Sequence, residues 1–169
     1  MIREVLIYPD KRLKQDSSDV DNFDENLLRL LDDMYETMKS RDGVGLAAIQ
    51  VGVAKNILII NPVRDDGEQL KEDLIEMINP TILSKEGEVV YQEGCLSVPG
   101  FYEDIKRFQK IEVEFFNRLG TKERVVLEDF IAVAFQHEYD HLRGHLFIEK
   151  LSIIKRKKFE KEWKKKNKK

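Results

Sequence analysis

Apolar residues in this chain change their spacing along its length, and each change marks an element. Leu27, Leu30, Leu31, Met34 and Met38 recur at helical intervals, which predicts an amphipathic helix. Asn22-Phe23-Asp24 supplies N-cap candidates before it, and Arg41-Asp42-Gly43 closes it with a glycine just past its end. Lys55 to Ile60 finishes in an unbroken aliphatic run and reads as a buried strand. Ile75 to Leu83 reads as another, but Asn79-Pro80 interrupts it; proline cannot donate to a ladder, so an edge strand or a bulge is expected there. Glu88 to Tyr91 is extended. Ile111-Glu112-Val113-Glu114-Phe115 alternates apolar with acidic residues, the pattern of a half-exposed antiparallel strand. Asn117-Arg118-Leu119-Gly120 turns it back into Glu123 to Leu127, completing a hairpin.

A helix from about Glu128 to Leu142 follows, with apolar residues on so many sides that burial nearly all round is expected; Gly144 ends it. A last helix runs from about Ser152 toward the C-terminus, and its lysine-rich end is expected to fray. Gly43-Val44-Gly45-Leu46-Ala47-Ala48-Ile49-Gln50, rich in small residues, reads as a loop entering a short strand. Strands, one buried helix and two peripheral helices do not alternate as βαβ units. The fold class is therefore α+β: antiparallel or mixed sheets around a central buried helix, with N- and C-terminal helices. A chain of 169 residues is long enough for one sizeable core, so a single domain over 1–169 is expected.

Charge changes the picture at one end. Lys150 to Lys169 holds eleven Lys or Arg against Glu160 and Glu162, a surplus of nine that leaves the other residues at −12 given the net −3. An acidic body thus ends in a basic tail of about 150–169, and such tails favour polyanions. No apolar run approaches the length of a membrane span, and Met1-Ile2-Arg3-Glu4 lacks the pattern of a signal peptide. With a single cysteine there is no intrachain disulfide, as suits a reducing cytoplasm. A cytoplasmic protein with no membrane or DNA partner is the expectation.

The chemistry concentrates in His137-Glu138-Tyr139-Asp140-His141. On a helix, imidazoles four residues apart stack on one face and can share a metal. Glu138 is rotated roughly 100° from His137, so it can reach a water at the metal without being a ligand. Cys95, in Glu93-Gly94-Cys95-Leu96-Ser97, is the candidate third ligand. Two imidazoles and a thiolate leave one tetrahedral position for water, which such a metal acidifies. Glu138 could then act as general base and acid. A surface helix with two solvated histidines is the plainer alternative, but the apolar helix around His137 argues for an interior. The extended zinc-peptidase pattern fails, because Phe147 stands where a third histidine is needed and His145 comes too early.

The Gly43–Gln50 loop, the Glu93–Ser97 segment and the Gln136–Gly144 helix together, in this order, resemble the bacterial peptide deformylases over essentially the whole chain. That resemblance implies removal of the N-formyl group from the initiator methionine of new polypeptides. It implies that Cys95, His137 and His141 bind one divalent metal per chain, Fe²⁺ physiologically, with Zn²⁺, Ni²⁺ or Co²⁺ as substitutes. It implies that Glu138 is the general base and acid, and that the Gln50 amide and the Leu96 N–H donate to the developing oxyanion. The small residues Val44 and Gly45 would let a substrate backbone approach, and Phe130, Val133 and Ala134 would line a methionine slot. Arg107, in a strand-like stretch after the cysteine segment, is expected to anchor the site through a carboxylate such as Asp140 or Glu93, a plain surface arginine being the alternative. The basic tail is expected to contact the ribosome, as in some members of that family. A zinc endopeptidase and a catalytically idle ribosome-associated metal protein are the competing readings.

Overall fold

A computed structural model describes residues 1–167. Its elements are α1 (Glu25–Ser40), β1 (Gly45–Ala47), β2 (Ile57–Ile60), β3 (Ile75–Glu86), β4 (Val89–Cys95), β5 (Val98–Arg107), β6 (Lys110–Phe116), β7 (Lys122–Glu128), α2 (Asp129–Leu142) and α3 (Ile153–Lys166). Five strands form one sheet in the order β1-β2-β3-β6-β7, and β4 and β5 form a separate two-stranded sheet. All of these strand pairs are antiparallel.

The reason for each pattern is visible in what covers each strand. α2 packs on one face of the large sheet, where Leu58, Ile60, Met77, Ile111, Val113 and Phe115 meet Ala132 and Phe135. α1 covers the other face over β2, where Ile57 and Ile59 meet Leu31, Met34 and Met38. β2 is therefore buried on both sides, which is why it is an unbroken aliphatic run. β6 is buried on alternate residues only, so Glu112 and Glu114 face outward. Asp24 caps α1 by accepting from the Leu27 N–H at 3.1 Å.

Of the two readings of Asn79-Pro80, the edge strand is wrong and the bulge is right. β3 lies inside the sheet between β2 and β6, and its register shifts between Ile78 and Thr81. The bulge is braced because the Asn79 side chain bonds both backbone groups of Val20, at 2.8 and 3.0 Å. The expected fraying of the last helix is also overturned through Lys166. Phe159 and Trp163, one helical turn apart, are buried against Tyr8 and Phe101, and this contact supplies what the lysine-rich sequence lacks. Lys168 and Lys169, the end of the tail, lie outside the described residues.

α2 ends where the chain before α1 crosses it. Gly144 has φ of 80°, and a Cβ there would run into the Lys14 backbone carbonyl. Gly52 has a similar φ of 83° but open space around it. Gly52→Ala should cost about 1 kcal/mol, from the left-handed backbone alone. Gly144→Ala should cost about 3 kcal/mol, because backbone must also move. Urea denaturation of both variants, loaded with metal, measures the difference.

Candidate active site

His137 and His141 occupy successive turns of α2, and both are buried. Their Nε2 atoms stand 3.3 Å apart, and the Cys95 Sγ lies 3.4 Å from that of His141. Cys95 comes from the last residue of β4, just before the tight Leu96-Ser97 turn into β5. One donor atom from each of the three residues lies within 4.8 Å of the others. A tetrahedral ion at ordinary bond lengths requires about 3.3 Å between two nitrogens and about 3.6 Å between nitrogen and sulfur. The arrangement fits such an ion.

Electrostatics favour the same occupant. Burial and the neighbouring His137 hold the His141 imidazole well below its ordinary range, so it stays neutral with a lone pair to give. Burial pushes His137 down as well, but Glu138, Cys95 and Glu93 outweigh it and hold it up. The cluster thus attracts positive charge. His137 Nδ1 meets Glu93 Oε1 at 2.9 Å, the carboxylate–imidazole contact that fixes a ligand ring. Arg107 grips Glu93 through Nε and Nη2 at 2.7 and 2.9 Å and Asp140 through Nη1 at 2.7 Å. Both acids considered for Arg107 are its partners. Burial alone would raise the Glu93 pKa, but hydrogen bonds from Arg107 and His137 hold it at about 2.

The cluster opens on a cavity of about 660 Å³. Val44, Gly45, Gln50, Cys95, Leu96, Phe130, Val133, Ala134, His137 and Glu138 all line it, whereas His141 sits behind, fully enclosed. Glu138 is buried, its Oε1 has no hydrogen-bond partner, and burial raises its pKa to about 7. Its carboxylate lies against Gly45, where a Cβ would come within 2.7 Å of Oε2. Glycine at 45 is what leaves room for that carboxylate. Gln50 is locked in place: its Oε1 accepts from the Ala47 N–H at 2.9 Å, and its Nε2 donates to Ser97 Oγ at 3.0 Å. The same Nε2 is 3.7 Å from Cys95 Sγ. His145 is an exposed residue paired with Glu149 at 3.2 Å. Gln92, Pro99, Gly100 and Tyr102 also line the cavity, and sequence reasoning missed them. Only the Pro99-Gly100 turn beside the cysteine segment could have pointed there.

A metal beside a buried, unpartnered carboxylate is the equipment of metal-dependent hydrolases. Comparison with known proteins narrows the class. The sequence model of the polypeptide deformylase family matches residues 2–157. A peptide deformylase of Helicobacter hepaticus is 56% identical over 162 residues, covering 95% of this chain and 90% of the relative. One from Helicobacter pylori (strain Shi470) is 52% identical over 165 residues, with coverages of 98% and 94%. Among solved structures, the Ehrlichia chaffeensis peptide deformylase in complex with actinonin superposes with a TM-score of 0.89 at 37% identity, covering 99% of each chain. The Legionella pneumophila peptide deformylase gives 0.87 at 39% identity, covering 100% of this chain and 99% of that one. This chain belongs to the polypeptide deformylase family.

The Arg107 network generates a test. Arg107→Met strands the buried Glu93 carboxylate, takes a partner from the part-exposed Asp140, and should cost about 3–5 kcal/mol of stability. It should also weaken metal binding about 10- to 100-fold by freeing the His137 ring. Arg64, paired with Asp73 and Glu72 on the surface, is the comparison; Arg64→Met should leave metal affinity unchanged. Metal titration and urea denaturation of the two variants separate these outcomes.

Proposed function

We propose that residues 1–169 act as one hydrolase domain that removes the N-formyl group from the terminal formylmethionine of newly made polypeptides. Formyl amide and water give formate and a free α-amine. The observation that carries this reading is the Glu138 carboxylate, buried and unpartnered at Oε1, lining the open cavity together with Cys95 and His137 of the three-donor cluster.

Cys95, His137 and His141 would hold the metal. Bound there, it supplies a Lewis acid for the formyl oxygen and lowers the pKa of a water. Glu138 takes a proton from the attacking water and delivers it to the departing amine, a role suited by its raised pKa. The Gln50 Nε2 and the Leu96 N–H donate to the oxygen as it gains charge. Gln50 enters this role already oriented by Ala47 and Ser97, so little reorganisation is needed. Val44 and Gly45 form one wall for the peptide backbone, and Phe130, Val133 and Ala134 receive the methionine side chain.

Fe²⁺ is the physiological metal in this reading, with Zn²⁺, Ni²⁺ and Co²⁺ able to substitute, since thiolate and imidazole suit all four. The protein works in the cytoplasm. Its basic C-terminal helix turns lysines outward while burying Phe159 and Trp163, which supports contact with ribosomal RNA; no DNA or membrane partner is proposed. No helix among the described residues is long and apolar enough to cross a membrane. The idle-protein alternative needs a fourth protein ligand, and the donor cluster has three members among the described residues. The endopeptidase alternative has no histidine near the site beyond the two on α2, since His145 faces solvent.

Anaerobically purified protein should release formate from formyl-Met-Ala-Ser and stop when the metal is chelated. Glu138→Gln should lower kcat about 10³-fold while metal content stays near one per chain. Gly45→Ala should also lower kcat, by displacing the Glu138 carboxylate, with little change in metal content. Metal bound without formate release in the unaltered protein sinks the reading.

A further inference from the structure

We propose that Lys166, at the end of α3, is a specificity-determining residue at the mouth of the cavity and favours substrates with an acidic side chain shortly after the methionine. This rests on the deformylase reading above.

The mouth is built from exposed residues on two sides: Arg41 and Asp42 past the end of α1, and Pro99, Gly100 and Tyr102 at the start of β5. α3 runs antiparallel to β5. Its first turn is tied down by Lys155 Nζ on Glu103 at 3.0 Å. Its middle is held by Phe159 against Phe101, with ring centroids 4.5 Å apart. Its next turn is held by Trp163 against Tyr8 at 5.7 Å. These contacts aim the last turn at Gly100, where the Lys166 Nζ fills the space a Cβ would take. Gly100 has φ of 80°, and its lack of a side chain is what lets the ammonium approach this cavity-lining residue.

The charges at the mouth are unequal. Arg41 is followed in sequence by Asp42 on the same rim, an opposite charge close by though the two make no ion pair. The ion pairs α3 makes among the described residues are Lys155–Glu103 and Arg156–Glu160, so Lys166 is left uncompensated. With the formyl carbon at the donor cluster, the peptide leads outward past this rim. A formylated N-terminus carries no charge, so side chains following the methionine present the first charges the rim meets. A cation held over a partly enclosed mouth attracts acidic side chains and repels basic ones.

The test is the rate of formate release from amidated formyl-Met-Ala-Glu, formyl-Met-Ala-Gln and formyl-Met-Ala-Lys, the amide removing the terminal carboxylate. The unaltered protein should prefer Glu over Lys about threefold in kcat/KM, mostly through KM. The preference should fade at about 0.5 M salt. Lys166→Gln should bring the Glu:Lys ratio close to one, and Lys166→Glu should invert it. Lys161 lies on the face of α3 opposite Trp163, so Lys161→Gln removes the same net charge and should keep the original ratio. Each ratio is internal to one preparation, so partial loss of folded enzyme cancels. A ratio of one in the unaltered protein, or a preference untouched by Lys166→Glu, overturns the proposal. A ratio that drops equally in Lys161→Gln also overturns it, by assigning the effect to net charge. No formate from any of the three peptides instead refutes the deformylase reading itself.

Discussion

Arg107 sits with its guanidinium 3% exposed, where charge binds the small β4–β5 sheet to α2. No ladder joins that sheet to the five-stranded one. The hairpin nevertheless has to deliver Cys95 within bonding range of two imidazoles on a different element. Arg107 reaches Glu93 on β4 and Asp140 on α2 from its own place on β5, so three segments are fixed by one planar group. A guanidinium suits this because its donors lie in a rigid fork that a lysine lacks. Burial of such ions is costly, and full pairing at both carboxylates is what makes it tolerable. Glu93 then turns its remaining capacity to His137.

Much of the fold was legible because local spacing reports coverage. The aliphatic run of β2 exists because both of its faces are covered, and the alternation of β6 because one is not. The stacked histidines were legible for the same local reason. β5 was harder to read: only the stretch around Arg107 read as strand-like, because Val98-Pro99-Gly100 opens it with turn residues. What makes it a strand is pairing with β4 just before it and the aromatic cluster with α3, and the second of these comes from a distant part of the chain. Tyr102 and Gly100 on the cavity rim were missed with it. Pro80 was readable only as a choice, since the residue that decides between bulge and edge is Asn79, bonded to Val20 59 positions away. The lysine-rich tail misled because composition described its outer face. Phe159 and Trp163, one turn apart, were the signal of its inner one.

The donor set is divided unequally, two atoms from one helix and one from a hairpin turn. Helical spacing presets the imidazole pair, whereas the thiolate depends on the Arg107 network and on the packing of Val98 and Ile105 against Phe147. Strain or damage in the hairpin therefore reaches the chemistry through sulfur first, while Glu138 and the histidines keep their places on α2.

Trp163 is the sole tryptophan of the chain and lies 9% exposed in the seam between α3 and Tyr8. Its indole emission is thus a single-site optical readout of whether the terminal helix is seated. Undocking would move the ring from an aromatic pocket into water and shift its fluorescence to the red, without interference from any other indole. The protein carries its own label for local opening of its basic C-terminal helix.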